Sequence, residues 1–248
     1  MSEKIAELKQ QLEADPKNDA LWLALGDEYN AQDLFEEAVD AYSNGIIQNP
    51  FNKACYQGRG RKYISLQRYL QAVADFTMAS RLDPYDNEVW YYQGVAAHLA
   101  GLYDRCEEAF PKAIERMKAD GVDEWLAGVD WLWLTYMAQG KKAEAQEIIK
   151  LVDKDTPCIP RSLSYKKRGL LYRGDVKPEE FMDREHLKTT DRPELYLISE
   201  CFGLGNYYLA MGDKEKAIPL LKEARDVPTW HSSFAYRLAC RRLEELGL

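Results

Sequence analysis

Apolar residues of alternating size recur along the first half of the chain at a fixed step of 34 residues. Six columns of positions share this step, and in chain order they are large, small, small, large, small and proline. The columns are Trp22, Tyr56 and Trp90; Gly26, Gly60 and Gly94; Ala38, Ala72 and Cys106; Tyr42, Phe76 and Phe110; Gly45, Ala79 and Ala113; and Pro16, Pro50 and Pro84. Six columns in one register indicate a tandem repeat.

Each period predicts two α-helices that pack against each other. Small residues let the two helices approach closely, and the large residues fill the space between them. The proline ends the second helix because it has no backbone N–H and restricts the residue before it. The first period therefore predicts a helix over 19–31 and a second helix over 35–48, and a lone helix over 1–14 precedes them.

These columns resemble those of the tetratricopeptide repeat family. The resemblance covers three repeats over residues 19–118, and weaker matches follow at Tyr136, Gly140 and Ala145, and at Gly205, Tyr208, Gly212, Ala217 and Ala224. It implies an all-α fold, a right-handed superhelix (solenoid) of antiparallel helix pairs. It also implies a scaffold that binds partner proteins.

The second half departs from the regular step. Pro111 falls inside a predicted second helix where the step ends, so we expect an N-terminal lobe over 1–120 and an irregular C-terminal lobe over 121–248. Pro111 and Pro219 are each expected to kink or shorten their helix.

In the C-terminal lobe the pattern predicts short helices over 162–172 and 179–186. A closing helix is predicted over 230–246, with Trp230, Phe234 and Leu238 on one apolar stripe. A solenoid needs such an element to cover its last apolar face, so we expect this helix to cap the structure. The alternative is a detachable arm that pairs with a second subunit.

Residues 131–248 also resemble the C-terminal portion of bacterial tetratricopeptide lipoproteins of the NlpI type. The matching residues are Trp131 to Leu134, Gly174, Leu204 to Asp213, and Tyr236 to Leu238. This resemblance implies an envelope adaptor that holds cell-wall hydrolases or proteases. The chain has no cysteine for lipid attachment near its N-terminus.

The charge balance narrows the class of partner. Aspartate and glutamate number 41 against 33 lysines and arginines, which gives a net charge of −8. This balance argues against nucleic acid or an anionic membrane as the main partner. The chain shows no apolar run of membrane-spanning length and no signal-peptide core. We expect a cytoplasmic protein, or an envelope-associated one if a leader is missing from the sequence.

Motifs for catalysis and metal binding are absent from the sequence. His98, His186 and His231 stand far apart, and no zinc helix, nucleophile turn or phosphate loop occurs. We therefore expect a protein that is not an enzyme and that uses no cofactor or metal. The five cysteines are expected to be reduced and mostly buried. The alternative is a thiol enzyme that uses Cys106 or Cys158 with a distant histidine.

The resemblance also implies where a partner binds. In this family the concave groove is lined by one face of the first helix of each repeat. The corresponding positions are Leu23, Asp27, Asn30, Gln57, Arg61, Ile64, Glu88, Tyr91 and His98, with Asp130, Leu134 and Met137 in a fourth repeat. Such a mixed apolar and polar surface would suit a peptide or helix of a partner protein. The alternative is an ordinary solvated face.

Arg59 stands where the first repeat has Leu25, so we expect it to need a partner or to extend its charge to an edge. It belongs to a basic cluster in an otherwise acidic lobe, and a partner's carboxylate could dock there. The alternative is a cluster that is solvated or paired within the chain. Its members are Arg59, Arg61, Lys62 and Arg68.

Eight aromatic residues fall in the repeat columns or one turn from them, and we expect them in the core. They are Trp22, Tyr29, Tyr42, Tyr56, Tyr63, Phe76, Trp90 and Phe110.

Overall fold

The computed structural model describes residues 2–248, and helices make up 74% of it. No strand occurs in this range, so the predicted all-α class is confirmed. The lone N-terminal helix begins at Glu3, and Met1 lies outside the described residues. The α-helices are α1 Glu3–Ala14, α2 Asp19–Ala31, α3 Phe35–Gln48, α4 Lys53–Ser65, α5 Tyr69–Leu82, α6 Asn87–Leu99, α7 Tyr103–Ala119, α8 Trp125–Ala138, α9 Lys142–Ile149, α10 Leu163–Arg173, α11 Pro178–Phe181, α12 Arg184–Leu187, α13 Pro193–Ala210, α14 Lys214–Arg225 and α15 Phe234–Glu245.

The helices form two compact units, a first unit that ends at Gly121 and a second unit, Val122–Leu248. In the first unit α2, α4 and α6 are the first helices of the three repeats, and α3, α5 and α7 are their second helices. Each pair makes its main contacts within the pair, and α3 and α5 also pack on the first helix of the next pair. The bounds of α2 and α3 are those predicted from the first period.

Short polar side chains set where these helices begin. The side chains of Asn18, Asn52 and Asp86 accept hydrogen bonds from backbone N–H groups in the first turns of α2, α4 and α6. Such caps satisfy donors that a helix cannot pair internally. Between the two helices of each repeat, the chain reverses through one residue with a left-handed backbone. These residues are Asp33, Gln67 and Gly101, again at the 34-residue step.

The glycine column lets an aromatic ring of the second helix lie directly on the first helix. A Cβ atom on Gly26, Gly60 or Gly94 would lie 2.5, 2.9 or 2.6 Å from the nearest ring atom of Tyr42, Phe76 or Phe110. All three rings are buried. The pairing of small with large residues that the sequence predicts is therefore a direct contact.

Gly94→Ala is expected to destabilise the first unit by about 1–2 kcal/mol. Overpacking a rigid site costs about 1–3 kcal/mol, which exceeds the gain of about 1 kcal/mol from replacing glycine in a helix. Urea unfolding of the full chain measures the change. A double-mutant cycle with Phe110→Leu should show favourable coupling, because the smaller side chain leaves room for the methyl group. A Gly94→Ala variant as stable as the parent would show that Phe110 is free to move.

Five of the eight aromatic residues predicted for the core are buried, and three are only partly buried. The partly buried ones are Trp22, Tyr29 and Tyr63. Trp22 and Tyr29 belong to the first full repeat, where the single helix α1 supplies the covering cluster of Ile5, Leu8 and Leu12. The indole N–H groups of Trp22 and Trp90 donate to the carbonyls of Pro16 and Pro84 at 2.9 and 2.8 Å, so each fixes the preceding turn.

Polar contacts fasten the start of each repeat to the turn that follows it. Asp19 accepts hydrogen bonds from Asn49 and Asn52 at 2.9 and 2.7 Å, and these amides lower the pKa of Asp19. Lys53, which stands 34 residues later, donates to Asp83 and Asp86 at 2.8 and 2.7 Å. In the third repeat Asn87 donates to Asp120 at 2.9 Å. We call these three sets the repeat latches.

The second unit is built around α8, which is buried on nearly every side. All residues from Trp125 to Thr135 are buried, as expected for a helix that is apolar all round. Helix α8 pairs with α9 and packs on α10, while α13 pairs with α14 and also packs on α10. The ring of Trp133 stacks on that of Tyr172, with 3.7 Å between the ring centroids.

The segment between α10 and α13 differs from the prediction. The helix predicted over 162–172 is present as α10, but the single helix predicted over 179–186 is wrong. The structure has two one-turn helices, α11 and α12, separated by the extended residues Met182 and Asp183. The Asp183 side chain accepts from the His186 N–H and begins α12 as a new cap, which is why the first turn does not continue.

The closing helix is shorter than predicted. Helix α15 begins at Phe234, and the Ser233 side chain caps it by accepting from the Tyr236 N–H. Trp230 has a φ of 59° and is 39% exposed. The prediction that it continues the apolar stripe is therefore wrong, and the buried residues of α15 are Leu238, Ala239 and Leu243.

Of the kink or shortening predicted at two prolines, the shortening is wrong. Helix α7 continues through Pro111 to Ala119, and α14 continues through Pro219 to Arg225. Both prolines are on the exposed side of their helix. A ring in that position does not displace core side chains.

Candidate partner-binding surface

The predicted groove residues of the first unit do not all reach a surface. Six are partly buried, namely Leu23, Asn30, Gln57, Arg61, Glu88 and Tyr91, and Asp27 is exposed. Ile64 and His98 are 4% and 2% exposed, so their placement on a groove surface is corrected. They share one repeat position, in the last turn of the first helix. There the His98 ring meets the edge of Tyr103 at the start of the second helix.

Arg61 lies at the centre of the residues that remain on this surface. Its guanidinium pairs with Glu88 and lies 4.9 Å from the ring centroid of Tyr92. Its Nε atom is buried and has no hydrogen-bond partner among the described residues. We call Arg61, Glu88, Tyr91 and Tyr92 the Arg61 surface.

Aromatic packing holds the Arg61 surface in place. Tyr92 stacks on Phe76, with 5.7 Å between centroids, and meets Tyr91 edge-on at 5.3 Å. Burial raises the pKa of Tyr92, so this hydroxyl stays neutral at physiological pH. The sequence did not place Tyr92 in the groove, because the same position in the preceding repeat is Gly58 and its column carries no recurring residue type.

Neighbouring polar residues are fixed by bonds within the chain. Gln57 donates to Asp86 at 3.0 Å, and Lys62 donates to Asn30. The buried Tyr42 hydroxyl donates to Asp27 at 2.8 Å, and burial together with this bond raises the pKa of Tyr42. The surface around Arg61 is therefore pre-formed, which lowers the ordering cost of binding.

The basic cluster is paired within the chain. Arg59 donates to both carboxylate oxygens of Asp75, at 2.8 and 2.7 Å, and to Ser43 at 2.9 Å. Arg68 makes a bidentate pair with Glu36. The contacts favour the self-paired alternative for Arg59 and Arg68, and docking of a partner's carboxylate on this cluster stays a prediction.

The predicted fourth-repeat positions lie mostly in the core of the second unit. Asp130 and Leu134 are 4% and 2% exposed, and Met137 is partly buried. Asp130 receives a bidentate pair from Arg168, with both bonds 2.9 Å long. Asp130 and Leu134 are therefore core residues of the second unit and not part of the predicted groove surface.

Three of the five thiols are buried, namely Cys55, Cys106 and Cys201, whereas Cys158 and Cys240 are partly exposed. Burial raises the pKa of Cys55 to about 12 and also raises the pKa of Cys201. Cys106, one of the two candidate nucleophiles, is fully buried and donates to the carbonyl of Gly94. A reactive cysteine needs a lowered pKa and access, and the environment of Cys106 does not offer access.

Two segments of the chain match the tetratricopeptide repeat family, residues 58–120 and residues 201–224. With the helix pairs described above, these matches show that the chain contains tetratricopeptide repeats, which are scaffolds for protein–protein interaction. Within residues 2–248 the structure has no helix with the length and apolar character needed to cross a membrane. It also has no group of three potential metal ligands there.

Solved structures of tetratricopeptide proteins share the fold. One from Parabacteroides merdae is 20% identical, with a TM-score of 0.64 and coverage of 95% of this chain and 91% of the other. YrrB, described as having an unusual peptide-binding site, is 14% identical, with a TM-score of 0.53 and coverage of 96% and 97%. A chain of the APC/C hetero-tetramer Cut9-Hcn1 is 16% identical, with a TM-score of 0.57 and coverage of 94% and 45%.

Proposed function

We propose that this chain is a non-enzymatic scaffold that binds a peptide or helix of a partner protein on the inner helices of its first unit. The observation that carries the proposal is the Arg61 surface, where a cation is held on aromatic rings with one buried donor unpaired. Leaving a buried donor unsatisfied costs about 1–3 kcal/mol. If the Arg61 side chain turns from Glu88 toward a bound peptide, a backbone carbonyl of the peptide would satisfy it.

The ion pair at this surface leaves Arg61 able to change partner. The side chains of Arg61 and Glu88 are 38% and 47% exposed, and exposed pairs contribute only about 0–1 kcal/mol. Arginine and tyrosine are also enriched among the residues that dominate binding energy at interfaces. Leu23 and Gln57 occupy the same position in the first and second repeats as Tyr91 does in the third. They extend the surface along α2 and α4, the first helices of those repeats.

The double variant Arg61→Ala/Tyr91→Ala is expected to lose partner capture and to keep its fold. Hot-spot residues each contribute about 2 kcal/mol or more, so the pair should weaken binding by at least about a hundredfold. Cross-linked capture from native lysate, read by quantitative mass spectrometry, identifies partners that depend on the two side chains. Binding is then measured with each purified partner.

The matched control is Arg81→Ala/Tyr85→Ala, which removes the same residue types from an exposed position in the same unit. Both variants should melt within a few degrees of the parent. Equal capture by the parent and by Arg61→Ala/Tyr91→Ala would move the binding site away from the Arg61 surface.

The alternative function is an NlpI-like cell-envelope adaptor for cell-wall hydrolases or proteases, which is supported by the sequence resemblance over 131–248. It predicts that purified murein hydrolases or envelope proteases bind the full chain and that Arg61→Ala/Tyr91→Ala leaves this binding intact. The first proposal predicts that partner binding depends on those two residues. One binding series with both variants therefore separates the two functions.

A further inference from the structure

Two adjoining cavities lie among the helices of the second unit. The larger, about 460 Å³, lies among α8, α13 and α15, and the smaller, about 360 Å³, also reaches α10. Leu134 lines both cavities, and we call the two cavities together the second-unit groove. It is formed by residues of the second unit alone and does not depend on the Arg61 surface.

The charge of the second-unit groove is opposite to that of the whole chain. Its cationic lining residues are Lys142, Arg161, Arg168, Arg192 and Arg242, and its acidic lining residues are Asp130 and Glu245. The chain as a whole carries a net charge of −8. Arg168 and Arg242 are balanced within the groove by Asp130 and Glu245, which leaves Lys142, Arg161 and Arg192 as the excess cations. Clefts focus the field of the charges that line them, so these three side chains attract anionic groups locally.

The arginines of the groove differ in how firmly they are held. Arg168 is buried and fully engaged, with a bidentate bond to Asp130 and a bond of 2.7 Å to the Ser199 hydroxyl. Arg161 and Arg192 stand at the mouth with side chains 70% and 57% exposed.

The mouth arginines pair with acidic groups of their own chain. Arg161 pairs with Glu124, and Arg192 lies 3.5 Å from Asp191. An ion pair whose arginine is largely exposed to solvent adds little to stability. A ligand carboxylate can therefore replace Glu124 or Asp191, whereas the Arg168 pair stays in the floor.

The walls between the charges are aromatic and aliphatic. Tyr165 and Tyr196 are partly buried in the smaller cavity, where Trp131 meets Phe234 edge-on with 5.5 Å between centroids. Trp133 lines the larger cavity, and its indole Nε1 is buried with no hydrogen-bond partner among the described residues. An apolar side chain of a ligand fits such walls.

We propose that the second-unit groove binds an acidic, apolar peptide segment of a partner protein. Aspartate or glutamate side chains of the segment pair with Arg161 and Arg192. Its leucine, phenylalanine or similar side chains enter the two cavities on either side of Leu134. This site is a second interaction surface, separate from the one proposed for the first unit.

Fluorescence polarisation with the full chain tests the proposal. The probes are labelled, C-terminally amidated peptides of about ten residues in which Asp or Glu alternates with Leu or Phe. One matched set carries Lys in place of each acidic residue, and a second carries Ser in place of each apolar residue. We expect the acidic, apolar peptides to bind. The Lys-substituted and Ser-substituted sets should both bind at least about tenfold more weakly.

Two charge-reversal variants locate the site. Arg161→Glu/Arg192→Glu should weaken binding of the acidic, apolar peptides by at least about tenfold. Arg184→Glu/Arg225→Glu makes the same change of net charge on the same unit outside both cavities and should leave binding unchanged. Circular dichroism checks that both variants remain folded. The Arg61→Ala/Tyr91→Ala variant should bind these peptides normally, which separates this site from the first.

Four outcomes would overturn the proposal. No binding by any acidic, apolar peptide at about 100 µM would exclude the ligand class. Equal loss in both charge-reversal variants would indicate an effect of net charge alone. Binding by unamidated versions of these peptides but not by the amidated ones would show that the C-terminal carboxylate, and not the side-chain carboxylates, is the ligand group. Concentration-dependent dimerisation that Arg161→Glu/Arg192→Glu abolishes would identify a second copy of the chain as the occupant.

Discussion

Asp130→Ala is expected to destabilise the second unit by about 3–5 kcal/mol, because it leaves the Arg168 charge buried without its partner. Both side chains of this pair are 4% exposed. Burial acts to lower the pKa of Arg168, but the charge and hydrogen bonds of Asp130 outweigh that effect and raise it. Asp130→Ala removes that compensation, but an arginine side chain is not deprotonated in proteins, so the guanidinium stays charged in the variant and must find solvent, which requires α8 and α10 to separate.

Urea unfolding, combined with hydrogen exchange resolved by peptide, measures the effect and assigns it to a unit. Exchange should accelerate across α8, α10 and α13 and stay unchanged in the first unit. Glu223→Ala, which removes the partner of Arg184 from a pair 52% and 34% exposed, is the matched control and should cost under about 1 kcal/mol.

The double variant Asp130→Leu/Arg168→Met completes this test. Replacing a buried ion pair by apolar residues is often neutral or stabilising, so this variant should recover most of the loss. An Asp130→Ala variant with unchanged stability would show that solvent reaches Arg168 in the native state.

Removing residues 229–248 should cause the second unit to lose protection from hydrogen exchange. The truncated chain should also aggregate at any concentration. Helix α15 packs on both α13 and α14 and buries Leu238, Ala239 and Leu243. It also gives Asn206 a hydrogen bond of 3.2 Å from Arg242. Burial of its apolar side chains contributes roughly 5 kcal/mol before entropy is subtracted, and an uncovered repeat end associates with other chains.

A gentler pair of variants separates capping from a detachable arm. Leu238→Ala/Leu243→Ala should destabilise the second unit by several kcal/mol, since each buried leucine contributes about 2–5 kcal/mol. Leu248→Ala, at a residue that is 49% exposed, should have little effect. Light scattering and thermal melting report both. A soluble, monomeric truncation with an unchanged melting temperature would show that α15 is an arm and not a cap.

The regular part of the fold was predictable because its determinants are local and repeated. The helices over 19–31 and 35–48 follow from columns that recur at one step, and the caps at Asn18, Asn52 and Asp86 recur with them. Where the 34-residue step ends, a helix boundary depends on recognising a single capping residue, and missing that residue moves the predicted start of the helix. The four-residue spacing of Trp230 and Phe234 suggested one helix, although Ser233 between them is the residue type that begins a helix.

The candidate site was less predictable because burial of a groove position depends on the element packed against it. Ile64 and His98 lie on the expected helical face, but the start of the second helix covers this repeat position. The pairing of Arg168 with Asp130 joins residues 38 positions apart on different helices. No periodicity connects them, so only the three-dimensional structure shows that the fourth-repeat carboxylate belongs to the core.

The repeat latches discourage errors in the order in which repeats assemble. Repeat arrays can begin to fold at any point, so a helix pair can meet the wrong neighbour. If the second repeat were skipped, α6 would take the place of α4, and its cap Asp86 would stand where Asn52 donates to Asp19. Two carboxylates would then meet without a cation, and like charges in contact are destabilising. The three latches use different chemistry, so each turn accepts its own repeat and resists this misassembly.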